Sequence, residues 1–237
     1  AAGDGLSDDI LAIEQAISSG RAVIAPGPSS EYQVSDTVII PTLSTVDFRG
    51  SSVSLPEGDK HAIQVGDFLT IPTGVRLSNV RASAPDSQPT NDYAVLNTYK
   101  ADGALISNVE VVDGYNSMTL EYGNADGTER RTVNTVLQGA IFRGAYMGLE
   151  AFSLANSAAV GVISTRKDKA RGLQHGMRVT GYGPNHLGMG FDMRNRGNCY
   201  GPVVINNYTS GVSQQTGAFS NVLTYAITDC ENGLSTP

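Results

Sequence analysis

The sequence predicts an all-β solenoid, a parallel β-helix with one α-helix capping its N-terminal end. Three observations carry this prediction: short apolar segments separated by turn residues, a motif that recurs after about one coil, and a helical pattern confined to the first twenty residues. The composition agrees, because glycine is abundant at 27 of 237 residues and tryptophan is absent. Such a profile suits many short strands joined by tight turns better than it suits a helical bundle.

The N-terminal segment has the pattern of an amphipathic helix. Its isoleucines recur at helical spacing and form one apolar stripe: Ile10, Ile13 and Ile17. Ser7 is the predicted N-cap, and Asp8 and Asp9 would place negative charge in the first turn, where the helix dipole favours it. Gly20 is expected to end the helix as a C′ residue. We therefore expect residues 1–20 to form the cap.

From Arg21 onward, short apolar or β-branched runs alternate with Gly, Pro, Asn, Asp and Ser, a pattern that predicts strands. These runs are residues 38–40, 45–48, 62–65, 75–80, 93–96, 104–109 and 203–205. Residues 83–91 and 122–131 are rich in loop-forming residues and are expected to leave the coil. No segment has the composition of an interdomain linker, so we expect one domain over 1–237, with the coils in 21–237.

Some of these runs resemble one another. Leu-Ser-Asn-Val at 77–80 matches Ile-Ser-Asn-Val at 106–109, 29 positions later, and a looser copy occupies 136–141. A drifting repeat of this length with strand content indicates a solenoid. We therefore expect Asn79 and Asn108 to occupy equivalent positions on adjacent coils and to stack in a ladder. The repeat by itself does not exclude a β-sandwich.

The first fifty residues carry a more specific pattern. Gly3-Asp4-Gly5 is followed by Asp8-Asp9, by paired Ala and Ile residues over 12–17, by a strand with a Pro-Gly turn over 22–27, and by Tyr32. This order resembles the entry signature of the pectate-lyase-like superfamily. The resemblance implies a right-handed, single-stranded parallel β-helix. It also implies that Asp4, Asp8 and Asp9 cap the coil, whereas spacing alone would also allow a metal cluster.

The resemblance extends to function only as an expectation. The superfamily includes bacteriophage tailspikes and fibres, which are typically trimers that bind or cleave surface glycans, and polysaccharide-active enzymes of bacteria and plants. It therefore implies a virion-associated homotrimer that contacts bacterial surface polysaccharide and other virion proteins. A secreted or cell-surface protein of bacteria, an adhesin for example, is the alternative location.

Charge and composition exclude several other classes of function. The net charge is −7 and the longest basic cluster lies within 166–171, so no nucleic-acid partner is expected. No apolar run approaches the ~18–20 residues that span a bilayer, so no membrane insertion is expected. Cys199 and Cys230 lack the spacing of a zinc site and are expected to be reduced and buried, with one disulfide as the alternative. No nucleotide-binding or metalloprotease motif occurs, so neither a cofactor nor a metal is expected.

Candidate catalytic residues are acids in strand contexts. A glycosidase needs two carboxyl groups ~5–5.5 Å or ~6.5–9.5 Å apart, and strands of neighbouring coils lie ~4.8 Å apart. The candidates are Glu150, Asp192, Asp229 and Glu231. The alternative is that each of them is a solvated acid on an outer face or in a turn.

Candidate glycan-binding or lyase residues cluster in the C-terminal third. A lyase needs a base beside a cation that neutralises the substrate carboxylate, and tyrosine rings can stack on sugar faces. The candidates are His186, Arg194, Arg196, Tyr182 and Tyr200. The alternative is that this segment makes turns between coils, and His61 and His175 are expected to make ordinary polar contacts.

The preferred function is a virion spike or fibre protein that contacts host glycan; the alternative is a polysaccharide-degrading hydrolase or lyase.

Overall fold

The computed structural model of the chain describes residues 1–20, 22–56, 60–66, 72–85, 94–99, 101–114, 116–121, 132–143, 147–152, 156–165, 175–180, 195–196, 199–206, 210–214, 218–219, 222–228, 230 and 232–235. Helix α1 spans Ile10–Ser19. The strands are β1 (Asp4–Asp8), β2 (Ala22–Ile24), β3 (Glu31–Gln33), β4 (Val38–Ile40), β5 (Thr45–Asp47), β6 (Ser52–Ser54), β7 (Ile63–Val65), β8 (Arg76–Ala84), β9 (Ala94–Tyr99), β10 (Leu105–Asp113), β11 (Asn116–Glu121), β12 (Val136–Gln138), β13 (Ile141–Arg143), β14 (Met147–Phe152), β15 (Ala158–Val160), β16 (Val162–Thr165), β17 (His175–Thr180), β18 (Asn195–Arg196), β19 (Cys199–Asn206), β20 (Ser210–Gln214), β21 (Ala218–Phe219), β22 (Val222–Thr228) and β23 (Asn232–Ser235).

Each strand pairs in parallel with strands one coil away along the chain. An eight-stranded sheet runs in the order β4-β7-β9-β11-β14-β17-β20-β23. A thirteen-stranded sheet forms the other two faces of the coil, and β8 and β10 run through both of them. The N-terminal half of β8 pairs with β5 and its C-terminal half pairs with β6. The structure is therefore the predicted right-handed parallel β-helix.

The register confirms the repeat. Leu77 pairs with Ile106 and Val80 pairs with Val109, which places Asn79 and Asn108 at equivalent positions on adjacent coils. The looser copy is also in register, since Ile106 pairs with Leu137. In-register partners on neighbouring coils are separated by different numbers of residues, from 21 between Glu31 and Ser52 to 41 between Ala159 and Tyr200. The coil length therefore drifts, as the degenerate repeat predicts.

The core consists of columns of side chains that stack along the coil. Because the pairing is in register, each inward-facing residue has an inward-facing residue at the same position on the coil before it and on the coil after it. One buried column contains Val46, Leu77, Ile106, Leu137, Ala159 and Tyr200. A second contains Tyr32, Val53, Ala82, Val111, Phe142, Ser164 and Ile205.

Helix α1 covers the N-terminal end of this core. It packs against β2 and β4, and its three isoleucines are buried as predicted: Ile10, Ile13 and Ile17. The predicted N-cap is wrong, because Ser7 belongs to β1 and Asp9 holds the N-cap position without a side-chain capping bond. No acidic residue lies in the first turn. Gly20 follows the helix as predicted, but its φ of −153° is extended and not left-handed.

The aspartates of the entry motif satisfy backbone N–H groups at this end. The Asp4 carboxylate accepts from the amides of Leu6 and Ser7, at 3.0 and 2.9 Å. The Asp8 carboxylate accepts from the Ser35 hydroxyl and amide and from the Ile10 amide. Hydrogen bonds from Ser7 and from Ser35, respectively, lower the pKa of Asp4 and the pKa of Asp8. These hydrogen bonds are the contacts that the capping interpretation predicts.

Asp9 completes the cap. Its side chain is buried, and its two carboxylate oxygens accept from the amides of Ala2 and Gly3 at 2.5 and 3.2 Å. The Asp9 amide in turn donates to the Gln33 carbonyl oxygen of β3. Asp9 therefore ties the first residues of the chain to the end of the coil.

Neither Cys199 nor Cys230 is in a disulfide, as predicted. Cys230 is partly buried, but Cys199 is exposed, so its predicted burial is wrong. The reason is strand alternation, because Cys199 directly precedes the inward-facing Tyr200 in β19. Among the described residues, no helix combines the length and hydropathy needed to span a membrane.

A substitution in α1 tests its role as a cap. Ile13→Asp places an unpaired carboxylate against the end of the core and should destabilise the protein by about 3 kcal/mol or more. The matched control is Leu11→Asp, because Leu11 lies on the same helix with 70% of its surface exposed. Thermal unfolding should show a large drop in Tm for Ile13→Asp alone. Equal melting temperatures for the two variants would contradict the capping role.

Candidate functional site

The predicted acid Glu150 lies on the outer face of the eight-stranded sheet. In-register pairing aligns it with Thr119 of β11 and with Arg178 of β17. The Arg178 Nε donates to Glu150 Oε1 at 2.8 Å, and an Arg178 terminal nitrogen contacts the same oxygen. The side chains are 11% and 29% exposed for Glu150 and Arg178. Glu150 is therefore half of an ion pair between coils.

A polar column continues from this pair toward the N-terminal end. Gln64, Asn97, Thr119 and Glu150 occupy the same register position on successive coils, and all four side chains are largely buried. The column brings amide and hydroxyl groups beside Glu150. Within the described residues, the in-register neighbours of Glu150 are a threonine and an arginine and not the second carboxylate of a glycosidase pair.

Tyr200 is a predicted glycan-binding residue that the structure places in the core. Its side chain is 1% exposed and stacks on Ala159, the small residue of the preceding coil in the same column. The ring therefore has no face to offer a sugar. A large side chain beside a small one fills the interior, which explains why a tyrosine is accommodated here.

Most of the other predicted site residues lie outside the described part of the chain. Arg196 is in the backbone of β18, which pairs with β21, and its side chain is not described. The remaining residues outside the described ranges are Asp192, Asp229, Glu231, Tyr182, His186 and Arg194. Their proposed roles stay predictions.

His61 makes the polar contacts expected of it. Its Nδ1 lies 2.8 Å from the Ala94 carbonyl oxygen, and its Nε2 lies 3.3 Å from the Asn97 amide nitrogen. Burial lowers the pKa of His61 and, together with the charge of Arg178, the pKa of His175. The neutral His61 ring therefore joins two coils of the eight-stranded sheet.

An open surface groove lies elsewhere, at the corner between the two faces of the thirteen-stranded sheet. We call it the corner groove; its volume is about 770 Å³. It runs across four successive coils, and its main lining residues are Arg49, Asn79, Arg81, Asn108, Glu110 and Gly139. Sequence reasoning proposed none of these residues as functional.

Left-handed backbone makes this corner. Asn79 and Asn108 have φ of 54° and 53°, and Gly139 follows at the next coil with φ of 64°. Asparagine tolerates this conformation better than most residues and glycine adopts it freely. One left-handed residue per coil turns the chain from one face of the sheet to the next at the same place. The corners consequently stack into a continuous groove.

The asparagine side chains form the predicted ladder. The Asn108 amide donates to Asn79 Oδ1 at 3.2 Å, and the Asn79 amide donates to Asp47 Oδ1 at 2.9 Å. The bond from Asn79, followed by the Arg49 backbone amide and the Arg49 charge, holds the pKa of Asp47 below its ordinary value. The ladder ends at Gly139, where a Cβ atom would lie 3.0 Å from Asn108 Oδ1.

A charged cluster crosses the wall of the groove beside the ladder. Arg81 and Glu110 face each other in register on β8 and β10, with Arg81 Nε and Glu110 Oε2 3.8 Å apart. Arg143 of β13 donates through Nε to Glu110 Oε1 at 3.0 Å. The arginine side chains are about half exposed and Glu110 is one-third exposed. The groove therefore offers donors and acceptors to solvent on rigid strands.

The repeat contained the signal for this cluster. Aligning 77–80 with 106–109 also aligns Arg81 with Glu110, the first residues beyond the shared motif. An arginine and a glutamate at equivalent positions of adjacent coils predict an ion pair between them. Arg143 lies one coil further, where the repeat is too degenerate to align.

The fold is similar to that of a bacteriophage protein. The crystal structure of the pre-mature bacteriophage phi29 gene product 12 matches at 14% sequence identity with a TM-score of 0.72, over 99% of this chain and 32% of that chain. The enzymatically active domain of bacteriophage CBA120 tailspike protein 2 matches at 14% identity with a TM-score of 0.49, over 98% of this chain and 37% of that chain. This chain thus spans about a third of the length of each.

No family model and no curated protein matches the sequence. The resemblance to the pectate-lyase-like superfamily therefore stays a prediction, whereas the likeness to gene product 12 shows the fold. At 14% identity that likeness carries no further information about the corner groove or about activity.

Two substitutions at Asn108 test the left-handed corner. Asn108→Val forces a β-branched residue into positive φ and should destabilise the protein by about 2 kcal/mol. Asn108→Gly loses the same ladder bond but fits the backbone, so it should cost about 1 kcal/mol or less. The urea midpoint of each variant measures the difference. Equal destabilisation by valine and glycine would show that the ladder bond matters and the backbone conformation does not.

Proposed function

We propose that this chain is the β-helical part of a bacteriophage spike or fibre, and that the corner groove binds host-surface polysaccharide. The observation that carries the proposal is the open groove itself, which crosses four coils and is lined by amide, guanidinium and carboxylate groups. The fold similarity to gene product 12 of phage phi29 supports the phage assignment.

The shape of the groove suits a linear polymer. Successive coils repeat every ~4.8 Å along the axis, so a chain lying in the groove meets equivalent backbone geometry at each step. Sugar hydroxyls both donate and accept hydrogen bonds, and the Asn79 and Asn108 amides and the Glu110 carboxylate supply both kinds of partner. Rigid strands hold these groups in place, which reduces the entropy lost on binding.

The proposal includes the particle in which the protein works. A rigid rod that holds a glycan-binding surface away from its attachment point suits a virion appendage, so we place the protein in the phage particle, in contact with other virion proteins. We also infer a homotrimer, because only 16% of the residues are charged and a narrow coil leaves apolar strand residues on its outer faces. Three coils around one axis would bury one such face each.

Polysaccharide binding tests the groove. The protein is titrated against a panel of bacterial capsule and lipopolysaccharide preparations, and a binding glycan should be found. Arg81→Gln removes groove donors and should weaken binding of that glycan at least about tenfold. Arg76→Gln is the matched control, since Arg76 is exposed at the start of the same strand and outside the groove.

Equal affinities of these two variants would contradict the groove assignment. The same incubations report on catalysis. Release of fragments, or of unsaturated ends that absorb ultraviolet light, would show a hydrolase or a lyase and would contradict a purely binding role.

Sedimentation tests the trimer. At moderate salt, screening over ~8–10 Å weakens repulsion between chains of charge −7. The sedimenting species should then have three times the 24.9 kDa mass of the chain. A monomer at every micromolar concentration would contradict the inferred assembly.

A further inference from the structure

Arg81 in the corner groove and Arg143 beside it share one carboxylate neighbour. Glu110 is bound by Arg143 at 3.0 Å and faces Arg81 at 3.8 Å. At the N-terminal end of the groove, Arg49 lies close enough to Asp47 for its charge to act on that carboxylate. The Glu110 carboxylate is thus shared between two guanidinium groups.

This pairing limits what the groove can bind. A carboxylate or phosphate group of a ligand that pairs with Arg81 or Arg143 would lie beside the Glu110 carboxylate, which already contacts both arginines. Glu110 would repel the incoming anion, because like charges at short range repel. The net charge of −7 on the whole chain also repels polyanions at long range when the salt concentration is low.

Uncharged hydroxyl groups meet no such obstacle. They can accept from guanidinium N–H groups and donate to Glu110 while the ion pairs remain intact, because each guanidinium has five donors and each carboxylate oxygen has two acceptor sites. The Asn79 and Asn108 amides extend the same neutral hydrogen-bonding surface along the groove.

We infer that the corner groove selects uncharged polysaccharide over polyanionic polysaccharide, and that Glu110 is the residue that sets this selectivity. The inference rests on the proposed function, because it assigns a substrate class to the same groove. Glu110 does so by occupying the two arginines that would otherwise recruit an anion. Replacing it by a neutral side chain of the same shape should open the groove to polyanions.

A pair of matched probes tests this selectivity. Polygalacturonate and its carboxyl-reduced form share a backbone and differ in charge. The wild-type protein should bind polygalacturonate no better than the reduced polymer. Glu110→Gln should bind polygalacturonate about five- to tenfold more tightly than wild type, and added salt should abolish the gain. Glu31→Gln is the control, because it makes the same charge change in β3, outside the groove.

The outcomes separate this inference from the proposed function. A gain confined to Glu110→Gln, with uncharged glycans as the ligands found in the host panel, supports the selectivity. Equal affinities of Glu110→Gln and Glu31→Gln for polygalacturonate overturn it. Panel ligands that are polyanions, bound in a salt-dependent way and weakened by Arg81→Gln, overturn the selectivity but leave polysaccharide binding in the groove intact. If Arg81→Gln does not weaken binding of the panel ligands, the groove assignment itself is overturned.

Discussion

Hydrogen bonding between successive coils is the constraint on which the rest of this structure depends. A strand in a parallel coil finds its partners one coil before and one coil after, so β10 is held by β8 on one side and by β12 and β13 on the other. An open strand edge is a template for aggregation, so the end of a parallel coil has to be covered. Helix α1 packs against β2 and β4 at the N-terminal end of the described coils, and the Asp9 carboxylate binds the Ala2 amide there.

The same register that pairs the backbone also stacks the side chains. Inward positions form columns whose members adjust to one another in size, as Ala159 does beneath Tyr200. Outward positions form columns of their own, and there polar groups meet across coils, as Glu150 and Arg178 do. Each outward pair spans two coils that are distant in sequence. A surface site on this fold is therefore assembled by register and not by any local motif.

The corner groove shows how a structural device creates an open polar surface. A left-handed residue is needed wherever the chain turns between faces, and asparagine meets that need while carrying an amide. Stacked asparagines satisfy one another and Asp47, and they remain at the floor of an open groove. Glu110 and Arg81 lie on the next outward position, and Arg143, in register with Val112, reaches Glu110 from the following coil. Fold geometry thus supplies the groove, and a few side chains beside it set the charge of its wall.

The sequence by itself determined the coil, its cap and one rung of its ladder. These follow from local patterns: the spacing of three isoleucines in α1, and the Ser-Asn-Val motif that fixes Asn79 against Asn108. Only the tertiary structure decided which outward residues meet. Tyr200 turned inward and Glu150 met an arginine because the orientation of a strand residue depends on register with strands 22 to 32 or more positions away. The length of the repeat changes from coil to coil, and the recognisable motif ends after Asn108. Beyond that point the sequence does not show which residues pair between strands. The pairing is seen only in the three-dimensional structure.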